Sequence, residues 1–149
     1  MTTTSNLRVV LAVLSLAACA PGEQKGADSA ALSTSPVAAS VDITSPGEGD
    51  SVTLPITLTL GATGVVVVPA TGQVEEGKGH HHLVIDGDVP ADGAALPQPP
   101  VVYHLGNGAS DKVIDSLPPG PHRVIAVFAS GDHVAMPNVK RDTVTFIVK

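Results

Sequence analysis

Pro55-Ile56-Thr57-Leu58-Thr59-Leu60 alternates apolar and hydroxyl side chains without a break. Successive side chains of a strand point to opposite faces, so Ile56, Leu58 and Leu60 face a core while Thr57 and Thr59 face outward. The stretch sets the pattern for the rest of the chain. Upstream, Val41-Asp42-Ile43-Thr44 stops at Ser45-Pro46-Gly47. Downstream, Val65-Val66-Val67-Val68 is β-branched throughout and stops at Pro69. Next comes Gly79-His80-His81-His82-Leu83-Val84-Ile85-Asp86, closed by Asp86-Gly87-Asp88.

Residues 101–105 and 112–117 carry weaker strand signals, and 123–130 and 143–148 stronger ones. The segment from Asp88 to Pro100 holds Pro90, Pro97, Pro99 and Pro100 and cannot be a central strand, because proline donates no ladder hydrogen bond. It reads as a long crossover loop that flanks the histidine strand. Many short strands, frequent turn residues and no convincing amphipathic helix predict an all-β domain. The expected architecture is an antiparallel immunoglobulin-like β-sandwich of seven or eight short strands, with a small β-barrel as the alternative. No internal repeat is visible.

The first residues carry a different signal. Arg8 is the sole charge ahead of an apolar run from Val9 to Ala18. That run is far shorter than the ~20 residues a membrane-spanning helix needs, and it reads as a secretory signal over residues 1–18. Leu16-Ala17-Ala18-Cys19 resembles a bacterial lipobox, in which the cysteine is acylated and becomes the mature N-terminus. Cys19 is the only cysteine in the chain, so acylation would leave no thiol for disulfides or metal. The resemblance implies a partner in the lipid bilayer, since several acyl chains at about 0.8 kcal/mol per buried CH₂ give stable attachment. Ala20 follows the cysteine, and in a Gram-negative cell the usual sorting pattern then favours the outer membrane, facing the periplasm. Residues 19–40 are rich in Ala, Ser, Thr, Gly and Pro and read as a flexible tether. The folded domain is expected over residues 41–149.

Composition excludes some roles. Removing residues 1–18 takes away one base and no acid, so the formal charge moves from −6 to −7 with neutral histidines. An acidic chain without basic clusters argues against nucleic acid and against anionic membrane surfaces. Tyr103, Phe128 and Phe146 are the only aromatic residues. Three scattered rings build no sugar-stacking platform, and hot spots of protein interfaces favour Trp, Tyr and Arg.

The chemistry rests on the six histidines. On a strand, His80 and His82 share one face with Asp86, and His81 shares the other with Leu83 and Ile85. The Cβ atoms of His80 and His82 lie roughly 6.5–7 Å apart, so the two imidazoles can converge on one ion. Further ligands are expected from His104, in Tyr103-His104-Leu105-Gly106, and His133, in Gly131-Asp132-His133. The set is imidazole with carboxylate, and Met136 is a further candidate. Such ligands suit zinc or copper. The competing reading is a buried hydrogen-bonded network without metal. His81 is expected to be a satisfied core residue, and His122, in Pro119-Gly120-Pro121-His122-Arg123-Val124, to bond a turn backbone. Asp86 and Asp132 join these two as structural polar groups.

Taken together, Gly79–Asp86, Tyr103–Gly108, Pro119–Val124 and Gly131–His133 resemble the successive motifs of a bacterial secreted family catalogued as domain of unknown function 4399. Leu60-Gly61-Ala62-Thr63-Gly64-Val65 and Val68-Pro69-Ala70 are similar to its opening. The resemblance covers about residues 42–148 and implies a small β-rich envelope domain, with no established activity. Ala109-Ser110 stands where that pattern has Gln-Thr. The segment from Val127 to His133 is loosely similar to the end of periplasmic copper-carrier β-sandwiches, whose Asp-Gly-His supplies a ligand; the order here is Gly-Asp-His.

Two functions follow as expectations. One is an envelope lipoprotein whose β-sandwich binds copper or zinc for sequestration or delivery. The other is a structural or interaction module whose histidines bind nothing. An enzyme is not expected, because there is no Gly-x-Ser-x-Gly elbow, no His-Glu-x-x-His, and the sole thiol is committed to the anchor.

Overall fold

The computed structural model describes residues 37–97 and 102–149. The expected signal peptide, Cys19 and nearly all of the tether lie outside the described residues.

Nine strands and no helix occur among the described residues: β1 (Ser40–Ser45), β2 (Ser51–Val52), β3 (Ile56–Thr63), β4 (Val66–Val67), β5 (Lys78–Ile85), β6 (Val102–His104), β7 (Asp111–Ile114), β8 (Gly120–Ala129) and β9 (Asp142–Val148). They form two sheets. One is antiparallel with the order β1-β3-β7; the other runs β2-β9-β8-β5, with β4 and β6 sharing the far edge of β5. The chain leaves the first sheet after β1 and enters the second at β2, which pairs in parallel with β9. Two sheets of mainly antiparallel strands are consistent with the expected sandwich and with its barrel-like alternative.

Two details of the strand assignment differ from the sequence reading. β2 is only two residues long and carries no alternation, so its pairing with Ile147 and Val148 is set by tertiary contact. The run from Val65 to Val68 is a strand only at Val66 and Val67, because Gly64 turns the chain in the left-handed region (φ +69°) and Pro69 follows.

Between the sheets lies the principal core. Ile56, Leu58 and Leu60 of β3 meet Leu83 and Ile85 of β5, Val124, Ala126 and Phe128 of β8, and Val144, Phe146 and Val148 of β9. The threonine positions of β3 turn away, as alternation requires. A smaller core covers the outer face of the second sheet, where Val84, Val127 and Ala129 pack with Leu96, Val102 and Ala135. Strand β5 is consequently buried on both faces, and this doubly buried strand carries the histidine triplet.

The second core is closed by loops. Gly93 N–H donates to the Ala135 carbonyl, and Ala135 N–H donates to the Ala94 carbonyl. Leu96 N–H donates to the His133 carbonyl at 3.0 Å. Arg141 ties the same loop down through Asp92, at 2.5 Å. The proline-rich crossover thus flanks the histidine strand, as anticipated, and braces the segment that bears His133.

Candidate metal centre

Alternation on β5 sends His80 and His82 to the outer face and His81 to the principal core. Both outer rings are buried. His82 pairs in register with His104 of β6 on one side and Val127 of β8 on the other. His133 arrives from the turn after β8, in the left-handed region at φ +67°, with its N–H bonded to the Ser130 carbonyl at 2.9 Å. Three separated pieces of chain therefore deliver four imidazoles to one place.

Every pair of these four ring centroids is separated by 4.7 to 5.7 Å. One ligand atom from each of His80, His82, His104 and His133 lies within 4.8 Å of all the others. The two closest approaches are His82 Nε2 to His80 Nε2 at 2.9 Å and His133 Nε2 to His104 Nε2 at 3.1 Å. A tetrahedral ion with metal–nitrogen bonds of about 2.0–2.1 Å holds its ligand atoms about 3.3–3.4 Å apart. Small ring movements would bring these atoms to that spacing.

Three glycines of the histidine motifs stand where a Cβ would crowd a neighbour, and on Gly131 it would lie 2.0 Å from the Gln73 carbonyl oxygen. A Cβ on Gly79 would stand 2.2 Å from the Ala129 carbonyl oxygen and 2.8 Å from the Phe128 ring. A Cβ on Gly106 would stand 2.1 Å from His104 Cε1 and 2.4 Å from its Nε2. The His104 ring folds back over Gly106, and only glycine leaves it room.

Three of the four rings, His80, His82 and His104, are held toward the neutral form. Burial holds His82 down at a pKa of about 3, with the facing imidazoles His80, His104 and His133 adding to the effect. Burial likewise holds His80 at about 4, again with His104 and His133 opposing its charge. His104 is lowered as well, by partial burial and by His133. Neutral imidazole is the form that binds metal.

Other residues take other places. Asp86 does not share the face of His80 and His82. The strand ends at Ile85, Asp86 turns into the left-handed region at φ +52°, and its carboxylate accepts from the Arg123 N–H at 2.9 Å and from His122 Nδ1 at 2.7 Å. His122 Nε2 lies 2.7 Å from the Pro118 carbonyl oxygen. Both partners of that ring are acceptors, so both nitrogens must carry protons. Burial opposes the charge, but the Pro118 carbonyl and the Asp86 carboxylate together raise the His122 pKa. Asp132 accepts from the Ser130 hydroxyl at 2.5 Å and has no place among the ligand atoms.

His81 lies on the Leu83 face, edge-on to Phe128 at 5.5 Å. It is not the satisfied residue expected, since neither ring nitrogen has a hydrogen-bond partner. Backbone pairing of β5 on both edges dictates where residue 81 points, and the apolar core offers no acceptor. Met136 packs against the principal core.

These features define a class: an all-β domain of unknown function with a cluster of histidines, two of them buried, at a spacing a metal ion can use. The family model described as domain of unknown function (DUF4399) matches residues 58–149, and the chain belongs to that family. No curated protein and no solved structure gives a significant match.

Proposed function

We propose that this chain is a cell-envelope lipoprotein whose β-sandwich binds one copper or zinc ion through His80, His82, His104 and His133, for sequestration or delivery. The observation that carries the reading is the convergence of four imidazoles from β5, β6 and the loop after β8. Chance pairing of histidines on one strand needs no more than alternation. Assembly of two further rings from residues 104 and 133 around the same point is a much stronger coincidence. The donor set is all imidazole, with no thiolate in the domain, which suits borderline ions such as Zn²⁺ and Cu²⁺. Anchoring through Cys19 rests on the lipobox resemblance and would place the site in the envelope. Binding, and not catalysis, is the role proposed for the cluster.

The alternative is a metal-free polar network, favoured by the two short Nε2–Nε2 contacts. In an N–H···N bond between His80 and His82 the accepting ring carries its proton on Nδ1. Neither buried Nδ1 has a partner, so the network leaves one unpaired buried donor, at about 1–3 kcal/mol, and coordination through both Nε2 atoms leaves two.

The test is equilibrium dialysis of the full chain, purified without an appended histidine tag, against zinc and separately against copper(II), with metal content measured by elemental analysis. Close to one ion per chain is expected, falling on His82→Ala while the fold is retained by circular dichroism. Absence of both ions after dialysis sinks the reading and leaves the polar network.

A further inference from the structure

The four ligands are not equivalent. His80 and His82 are enclosed, at 0% and 3% exposure, on a strand paired along both edges. His104 is exposed and His133 half-buried, one at the end of a three-residue edge strand and the other in a turn. His104 also lines an open groove of about 590 Å³, together with Gly106, Asn107, Asp111 and Lys112. One side of the cluster is rigid and closed, and the other is reachable from solvent.

Among the described residues, no acceptor meets the far nitrogens of the two enclosed rings. Metal-bound histidines usually hand their second N–H to a carboxylate or carbonyl, and loss of that support weakens binding about 10- to 100-fold. Neither His80 Nδ1 nor His82 Nδ1 meets such an acceptor. Asp86, just past the end of β5, is engaged with His122 and Arg123.

Building on the metal-binding reading above, we infer that the ion is cargo exchanged directly with an incoming chelating ligand through the His104–His133 side. In the exchange, a donor atom of the chelator approaches along the groove and gives its lone pair to the ion. One imidazole nitrogen, that of His104, withdraws its lone pair from the ion. One bond forms as one breaks, and the oxidation state of the ion does not change. His80 and His82 hold the ion until the chelator has replaced the outer pair. The partner is accordingly a metal acceptor with several nitrogen, oxygen or sulfur donors, presented as a small molecule or as the binding site of another protein. A site built only for structure would behave differently, since its ion would leave only when the domain opens.

The experiment uses the zinc-loaded full chain, free of any tag, mixed rapidly with a chromogenic chelator in excess. The observed rate of zinc transfer is measured over a range of chelator concentrations. It is expected to rise in proportion to chelator concentration, and a rate independent of chelator overturns the inference. His104→Ala, on the exposed edge, is expected to speed the chelator-dependent transfer because the outgoing ligand is already absent. Unchanged or slower transfer in that variant also overturns it. Failure here is separate from failure of the metal-binding reading, which shows as a chain that holds no zinc before the chelator is added.

Discussion

At the level of single residues, the histidine motifs obey two different constraints. His80 and His82 are placed by alternation along a strand, which is legible from the order of residues alone. Gly106 is placed by the ring of His104, whose Cε1 would lie 2.1 Å from an added Cβ. Its backbone is not in the left-handed region, so Gly106→Ala probes crowding alone. The substitution is expected to push the His104 ring out of the cluster and weaken zinc binding by about 10- to 100-fold, as loss of ligand support does elsewhere. Calorimetric titration with zinc measures it, alongside a melting curve to show that the fold persists. Unaltered affinity would mean that the ring position over Gly106 does not matter to binding. Only the folded backbone shows which ring needs the space at Gly106.

Among the elements, β5 and β8 are clamped where the former ends and the latter begins. Asp86 accepts from Arg123 N–H and from His122, and His122 also donates to Pro118. The raised pKa of His122 fixes the sign of the pH dependence. Its contribution is complete below the unfolded-state pKa of 6.5 and is lost as pH rises through the higher folded value. Asp86 behaves oppositely. Burial pushes its pKa up, but the Arg123 N–H and His122 outweigh that and lower it, so its share is lost only as acid protonates it below the usual carboxylate range. Chemical denaturation of wild type and His122→Gln is expected to show a larger destabilisation at pH 6 than at pH 9. An equal penalty at both would argue that the imidazolium form is unimportant. Sequence reading anticipated that His122 bonds a turn backbone. It put Asp86 on the wrong side of the strand, because alternation holds only while the strand continues.

Considered as a whole, the domain has two cores on either side of one sheet, and the histidine cluster sits in the smaller. Burying imidazoles in a neutral state makes the metal-free chain acid-sensitive. The folded pKa values of His80 and His82, about 4 and about 3, lie below the unfolded value of 6.5, so the unfolded chain takes up protons first. Stability from this source is complete above pH 6.5 and falls as the pH drops through the two folded values. His82→Leu is expected to move the acid-unfolding midpoint of the metal-free chain to lower pH, read by circular dichroism. A midpoint that stays in place would show that these rings do not drive acid unfolding. Stability of the metal-free chain should therefore be greatest near neutral pH, since the His122 clamp weakens above it and the buried cluster below it.

The all-β class, most strand positions, the alternating core of β3 and the opposed faces of β5 follow from the amino-acid sequence alone. Each is set by local side-chain alternation and by the backbone limits of proline and glycine. The four-histidine cluster is only half local. Residues 80 and 82 are neighbours by geometry, whereas 104 and 133 reach them through a cross-strand register and a loop brace that no local pattern encodes. The same holds for the partnerless ring of His81 and the departure of Asp86 to His122, because burial and hydrogen-bond partners depend on what packs against a residue from far along the chain. Tertiary structure decided that the histidines form one site, closed on the side of β5 and open at His104.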